Sequence, residues 1–239
     1  MEHAAQHAQQ ASEHGFSLLP ALPLPGLTPH QALIVENTWL AMILIIAVVI
    51  SVTVSMKKIP GGLQNFVEFL VAFIENQIVD IIGPKGLRYF PLVITVFLFI
   101  IMGNYIGLIP GLISPTSSLS TTAAWAIVVF VFYQYIGVSQ KGLRYFKHFL
   151  GPIPVMAPVM LPLEIISEFA RPFSLSVRLF ANIFAGEMIV KLFASIALVG
   201  LPVVWMLVDG GFVMFIQAFI FSLLTMVYIS GAVASDEEH

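Results

Sequence analysis

The sequence predicts an all-α polytopic membrane protein with about five membrane helices plus an interfacial amphipathic helix. The last two spans are expected to be long and steeply tilted, paired as an antiparallel hairpin. Three observations carry this expectation. Of 239 residues, 59% are apolar and 10% charged, whereas a soluble domain carries about 25% charged residues. Several segments approach or exceed the roughly 20 apolar residues that cross a bilayer. Seven of the ten Lys and Arg residues fall in two short loops, as topology signals do.

Residues 1–36 read as an external amino-terminal tail. The stretch "MEHAAQHAQQASEHGFSLLPALPLPG" contains no Lys or Arg. It therefore lacks both the basic start of a cleavable signal and the arginine richness of a transit peptide. Residues 37–239 read as a single membrane domain of the bacterial inner-membrane type. Its first span, about 38–56, ends at Lys57 and Lys58. Beyond it, Gln64, Glu68, Glu75 and Asp80 interrupt the apolar pattern at mixed spacing. Residues of about 62–82 thus read as an amphipathic helix at or dipping into the interface.

The second span, about 90–109, ends at "LIPG". An uncharged loop, "LISPTSSLSTT", leads to the third, about 123–138. Lys57, Lys58, Lys85, Arg88, Lys141, Arg144 and Lys147 lie in two loops, whereas residues 1–56 and 110–122 contain no basic residue. The positive-inside rule places those two loops in the cytoplasm and the amino terminus in the periplasm.

The fourth segment, about 161–199, would be about 58 Å long as a helix, but the hydrocarbon core is only about 30 Å thick. No polar turn divides it, so one steeply inclined helix is expected. Ordinary tilts average about 20°, and a larger one needs support from another protein surface. The fifth segment, about 203–234, is also long for an upright crossing and leaves the "SDEEH" carboxyl terminus cytoplasmic. No internal repeat is visible, which disfavours an inverted-repeat transporter.

Several chemistries are not expected. The chain has no cysteine, and its six histidines (His3, His7, His14, His30, His148 and His239) lie outside the strongest apolar runs. Neither a thiolate site nor a buried histidine metal cage follows from that pattern. There is no GxxxxGK[ST] phosphate loop, and nothing points to a cofactor, to nucleic acid or to soluble enzymology.

The basic residues left over are Arg171, Arg178 and Lys191, all in the fourth segment. Helical spacing groups Glu164, Glu168, Arg171, Leu175, Arg178, Asn182 and Ala185 into one polar stripe. Glu187, nine residues beyond Arg178, falls on the opposite face and about 13.5 Å further along the axis. Ser174, Ser176, Ala181, Ala185 and Gly186 are small enough for another helix to approach closely. An arginine at mid-membrane costs at least about 2.5–3.5 kcal/mol and such residues mark ion pathways. Arginine keeps its proton in proteins. It attracts a neighbour's carboxylate and repels passing cations, which makes Arg178 an electrostatic gate and not a proton carrier; the bland reading is a snorkelling or structurally paired arginine.

Two compatible readings stand for Glu187: a proton relay, or an i,i+4 ion pair with Lys191. Gln217, isolated in "FIQAFIF", reads as interhelical glue or as a functional group. Asp209, in "LVDGGF", reads as a channel acid or as a residue at a wet turn. Asn182 suits an interhelical hydrogen bond, and Asn104 and Tyr105 suit packing. Two rival classes remain: a secondary transporter holding an anionic substrate on Arg178, and a structural scaffold.

The segments "LPLEIISEFARPFSLSVRLFANIFAGE" and "FIQAFIFSLLTMVYIS" resemble subunit a of the F-type ATP synthase membrane sector, from about residue 36 onward. "PTSSLSTTAA" and "GLIPG" are also similar to that family. The resemblance implies a non-catalytic stator beside a ring of c subunits, with b-subunit stalk, remaining synthase subunits and lipid as further partners. It implies protons, in preference to sodium, as the carried ion. Arg178 matches the arginine facing the ring carboxylates, and Asn182 and Gln217 match polar residues near it. Glu187 matches the acid of the periplasmic half-channel, while Glu164 and Ser174 match positions lining the cytoplasmic side. Some relatives carry a histidine seven residues before the glutamine; Gly210 stands there, with Asp209 adjacent. Lys191 beside Glu187 is another departure.

Overall fold

A computed structural model of the protein describes residues 26–57, 61–109, 111–142, 157–196, 203 and 208–234. The first 25 residues of the tail, Lys58, Arg144, Lys147, the break at Gly200–Pro202 and the "SDEEH" terminus lie outside the described residues. Among those described, five helices are long and apolar enough to cross a membrane, and a sixth is amphipathic.

The first, α1 (Pro29–Val54), starts where sequence chemistry dictates. Thr28 and Gln31 form a reciprocal capping box and proline occupies the first turn, both of which preorganise a helix start. Inside lipid each hydroxyl needs a partner within the chain. Thr38, Ser51 and Thr53 find one by donating to the carbonyls four residues back. Ile43, Ile46, Ile50 and Val54 project outward from α1, as a lipid-facing stripe does.

The amphipathic helix α2 (Gly62–Ile82) buries Ile74 and Ile78, one turn apart, and exposes Glu68, Glu75 and Asp80. It stops at Gly83, whose φ of 93° is a left-handed conformation that glycine adopts without steric cost. A 3-10 turn, Pro84–Tyr89, then redirects the chain into α3 (Phe90–Ile106). Val93, Val96, Phe97 and Ile100 of α3 are completely buried, because α1, α2 and α6 surround this helix.

Helix α4 (Leu119–Lys141) begins before the apolar run that marked the third span. Hydropathy does not register its first turn, where the Thr122 hydroxyl back-bonds to the carbonyls of Ser118 and Leu119. Helix α5 (Ala157–Ile196) is a single 40-residue helix that runs through Pro162 and Pro172. Such prolines are tolerated in membrane helices when neighbouring groups re-satisfy the freed backbone. A wide π turn, Asp209–Val213, leads into α6 (Met214–Ala234).

Helix α5 packs along α4, and α6 packs along α3, α4 and α2, while α5 and α6 touch over a shorter stretch. The shared core takes Tyr133 and Val129 from α4, Leu175, Leu179 and Ile183 from α5, and Phe221, Met226 and Ile229 from α6. The inward face of α5 is thus fixed by 175, 179 and 183, and its outward face follows from that.

Candidate functional site

On α5, Ser174, Arg178, Ala181, Ala185 and Met188 are all exposed. Their spacing of four, three, four and three residues keeps them on one face. Arg178 thus stands at the outside of the bundle among small side chains. It makes no hydrogen bond or ion pair among the described residues, and its charge is felt by Tyr228 of α6. Asn182, one turn on, and Gln217 of α6 are half-buried, and no hydrogen bond among the described residues ties either to Arg178.

The polar stripe expected from spacing divides in two. Glu168 and Leu175 are buried, whereas Arg178 and Ala185 are exposed. Alternating steps of three and four residues do not cancel: ten residues at 100° leave Glu168 and Arg178 about 80° apart. The small residues divide likewise, Ser176 and Gly186 turning inward and Ser174, Ala181 and Ala185 outward. Of the possible inner-side residues, Glu164 is half-buried and Ser174 exposed.

Glu168 belongs to a clamp that sequence reasoning did not assemble. Its Oε1 lies 2.9 Å from Arg171 Nη1. Its Oε2 accepts from the Tyr133 hydroxyl at 2.8 Å and from Gln134 Nε2 at 2.9 Å, both on α4. Arg171 in turn sits 5.6 Å from the ring centre of Tyr228. The carboxylate joins α4 to α5 and the guanidinium joins α5 to α6. Glu168 lies 35 residues from Tyr133 and 34 from Gln134 in sequence, so no local spacing signals the group.

Glu187 occupies different surroundings. It lines a cavity of about 260 Å³ with Leu108, Leu112, Gly186, Val190 and Lys191. The polar groups beside its carboxylate are the Ser117 hydroxyl and the backbone of Ser114, with the side chains of Lys191 and His30 in the surroundings. The turn Pro115–Ser117 that delivers these serines is held by a buried network. The Ser114 hydroxyl donates to the Gly103 carbonyl at 3.0 Å, and Thr116 bonds to Asn104 Oδ1. Asn104 Nδ2 donates to the Met214 carbonyl at 3.2 Å, and Asn37 Nδ2 donates to the Ile113 carbonyl at 2.8 Å. Asn104 is therefore a hydrogen-bonded bridge between α3, the turn and α6. The close approach needs glycine at 107, where an added Cβ would fall 2.7 Å from Ser114 Cβ.

Lys191 and Glu187 share the cavity, and Arg178 lies on the far side of the same helix. Asp209 stands in the turn that precedes α6, and its side chain lies outside the described residues. Sequence reasoning missed His30, Ser114 and Ser117 at this site. The serines were signalled by the uncharged "LISPTSSLSTT" stretch, while His30 belongs to α1, which reaches this loop through the Asn37–Ile113 bond. The groups around Glu187 combine one carboxylate with a hydroxyl and a nearby lysine, which suits proton exchange and offers no cluster of three metal-ligating side chains among the described residues.

The family model described as ATP synthase A chain matches residues 35–230. The chain is 46% identical over 205 residues to ATP synthase subunit a 2 of Syntrophotalea carbinolica, a match covering 86% of each chain. It is 47% identical over 207 residues to ATP synthase subunit a 1 of Pelobacter propionicus, covering 86% of this chain and 88% of the relative. With ATP synthase subunit a of Geobacter sulfurreducens the identity is 43% over 207 residues, covering 86% and 88%.

Proposed function

The chain belongs to the ATP synthase A chain family, and from that premise we propose that it is the stator that carries protons to and from a ring of c-subunit carboxylates in the bacterial inner membrane. The observation that carries this reading is Arg178, an exposed cation on a face of small side chains, with Glu187 and its cavity on the opposite face of the same helix. One helix thereby separates a cavity that holds a carboxylate and a lysine from a surface suited to a moving partner.

In this mechanism a proton enters from the periplasm, passes Glu187 and neutralises a ring carboxylate, which then turns into lipid. After almost a full rotation that carboxyl group reaches an inner path near Glu164 and Ser174 and releases its proton to the cytoplasm. Arg178 favours the ionised ring carboxylate, as a cation within about 4–6 Å does. It also repels protons that would cross directly between the two paths. Asn182 and Gln217 supply neutral polar groups beside it. The membrane potential contributes about 2.3 kcal/mol per charge per 100 mV, and the chain itself does no nucleotide chemistry. The amino terminus lies in the periplasm and the carboxyl terminus in the cytoplasm, on the basic-loop asymmetry.

A solute transporter would bind its substrate between helices at mid-membrane, whereas Arg178 stands on the outside of the bundle. The deciding experiment is disulfide mapping in the assembled enzyme. Cysteines at Ser174, Ala181 and Ala185 should crosslink to cysteines on the ring, and cysteines at Leu175, Leu179 and Ile183 should not. Crosslinking from the second set alone, or from neither, would reject the reading.

A further inference from the structure

The carboxyl-terminal end of α4 meets the 3-10 turn that precedes α3, and the two border an open pocket of about 230 Å³. Arg88 and Tyr89 of the turn line it, together with Tyr135, Ser139 and Gln140 of α4. The Arg88 guanidinium rests 4.7 Å from the ring centre of Tyr89, a cation–π contact that orients it, and it has no acid partner among the described residues. Tyr89 is only 7% exposed, and its phenol oxygen accepts from Gln140 Nε2 at 2.6 Å. The phenol hydrogen itself meets no acceptor among the described residues. The hydroxyls of Tyr135 and Ser139 make no hydrogen bond there either, whereas Thr38, Ser51, Thr53 and Thr122 all donate to their own helix. Among the described residues no carboxylate lines the pocket. A guanidinium and three unspent hydroxyl donors, with no acid among them, are complementary to a phosphate anion.

We propose that this pocket binds the headgroup phosphate of an anionic phospholipid, with Arg88 as its cation and the hydroxyls of Tyr89, Tyr135 and Ser139 as its neutral donors. The surface beside the pocket favours a lipid over a free ion. Ile127, Val131, Tyr135 and Val138 are exposed at spacings of four, four and three residues, so they form one stripe. It leads away from the pocket along α4 for about 16 Å, and Tyr135 belongs to both. Val131, Tyr135 and Val138 also line an apolar groove of about 540 Å³ between α4 and α5, closed on the other side by Ile165 and Phe169. An acyl chain lies along this stripe and groove while the phosphate sits in the pocket. Glu168 borders the groove, but its carboxylate is already bonded to Arg171, Tyr133 and Gln134 and presents no unpaired charge.

Lys85 and Arg88 belong to one of the two basic loops, which puts the pocket at the cytoplasmic leaflet. Basic pockets between membrane helices on that side suit anionic headgroups. A zwitterionic lipid fits less well, because its ammonium group would stand beside Arg88 and find no carboxylate in the pocket. The bound phosphate would bridge the turn to α4, adding to the Gln140–Tyr89 bond that already joins them. The pocket lies at the opposite end of α3 from the Glu187 cavity, so lipid held there staples α3 to α4 without entering the ion path.

The test uses the whole synthase in phosphatidylcholine vesicles doped with a phosphatidylglycerol that carries a photoactivatable diazirine on its acyl chain. Labelling is mapped by mass spectrometry and normalised to assembled complex. Label should appear on α4 between Ile127 and Val138. Excess unlabelled phosphatidylglycerol should remove it, whereas phosphatidylethanolamine and inorganic phosphate should not. Arg88→Gln should weaken labelling by at least about tenfold, as loss of a charge-assisted hydrogen bond does. Ser139→Ala, at an exposed position where folding is not at stake, should weaken it by about threefold. Equal labelling by a phosphatidylethanolamine bearing the same diazirine would overturn the proposal, reducing the surface to ordinary lipid contact. Competition by inorganic phosphate would overturn it by showing a site for a free ion. Absence of label, which would mean that a partner subunit covers this surface, or labelling unchanged in both variants would overturn it equally.

Discussion

Arg171 and Arg178 lie two turns apart on nearly the same face of α5, yet only one of them has an acid partner. Arg171 is bound 2.9 Å from Glu168 and stacked on Tyr228. The buried carboxylate opposite it is satisfied at both oxygens. Arg178 is exposed, flanked by Ser174, Ala181 and Ala185, and has no acid partner among the described residues. A charge at mid-membrane costs at least about 2.5–3.5 kcal/mol, and only Arg171 has that cost offset within its own chain. Residue type and depth therefore do not distinguish a structural arginine from a functional one; the carboxylate inventory around each does. In the proposed assembly the missing acid of Arg178 is supplied by the ring.

The largest expected effect breaks the comparison from the functional side. Arg178→Ala should reduce ATP-driven proton pumping to background while opening a passive proton leak, read by fluorescence quenching and by the decay of an imposed gradient. Its thermal stability should stay close to wild type, because no hydrogen bond or ion pair among the described residues is lost. Normal pumping, or a loss of stability as large as that of an Arg171 variant, would erase the distinction.

Arg171→Ala attacks the other member. It strands Glu168, which is only 6% exposed, and removing one partner of a buried pair costs about 3 kcal/mol or more. The assembled subunit should lose thermal stability strongly. Pairing Arg171→Met with Glu168→Leu should restore most of it, since an apolar replacement of a buried pair is often neutral. Failure of that double variant to recover would mean that the clamp does more than join α4, α5 and α6.

Gly107→Ala carries the comparison to the outer site, which depends on close packing and not on ion pairing. The new methyl group would meet Ser114 Cβ at 2.7 Å, and overpacking of this kind costs about 1–3 kcal/mol. The serine turn must shift away from Glu187, so proton flux should fall along with stability. A variant that kept full flux would remove the turn from the path.

The membrane helices were legible because hydropathy and length are local properties. Lys57 at the end of α1, the exposed acids of α2 and the unbroken run of α5 could all be read from neighbouring residues. Arg178 and Glu187 on opposite faces of α5 also follow from periodicity, since about 180° separates positions nine apart. What spacing did not give was the grouping of Glu168 with Arg178, because an eighty-degree drift is enough to turn one side chain into the core. The Tyr133–Glu168 bond, the Asn104–Met214 bridge and the Asn37–Ile113 bond join distant parts of the chain. Packing alone creates those contacts, and a sequence pattern registers none of them.

The smallest expected effect resolves how the clamp is built. Glu168 Oε2 accepts from both Tyr133 and Gln134, so Tyr133→Phe removes one of two donors and leaves the carboxylate still bonded to Gln134 and Arg171. A hydrogen bond to a charged group is worth about 1.5–3 kcal/mol when it is the only one. With a second donor in place the loss should fall to about 1 kcal/mol, and the ring still packs edge-on against Phe130 at 5.4 Å. Gln134→Leu should cost a similar amount, while the two together should cost clearly more than their sum, because only then is Oε2 left buried without a donor. A double-mutant cycle on thermal stability reads that coupling. Simple additivity would show that the two donors act independently, so that Oε2 does not depend on keeping at least one of them.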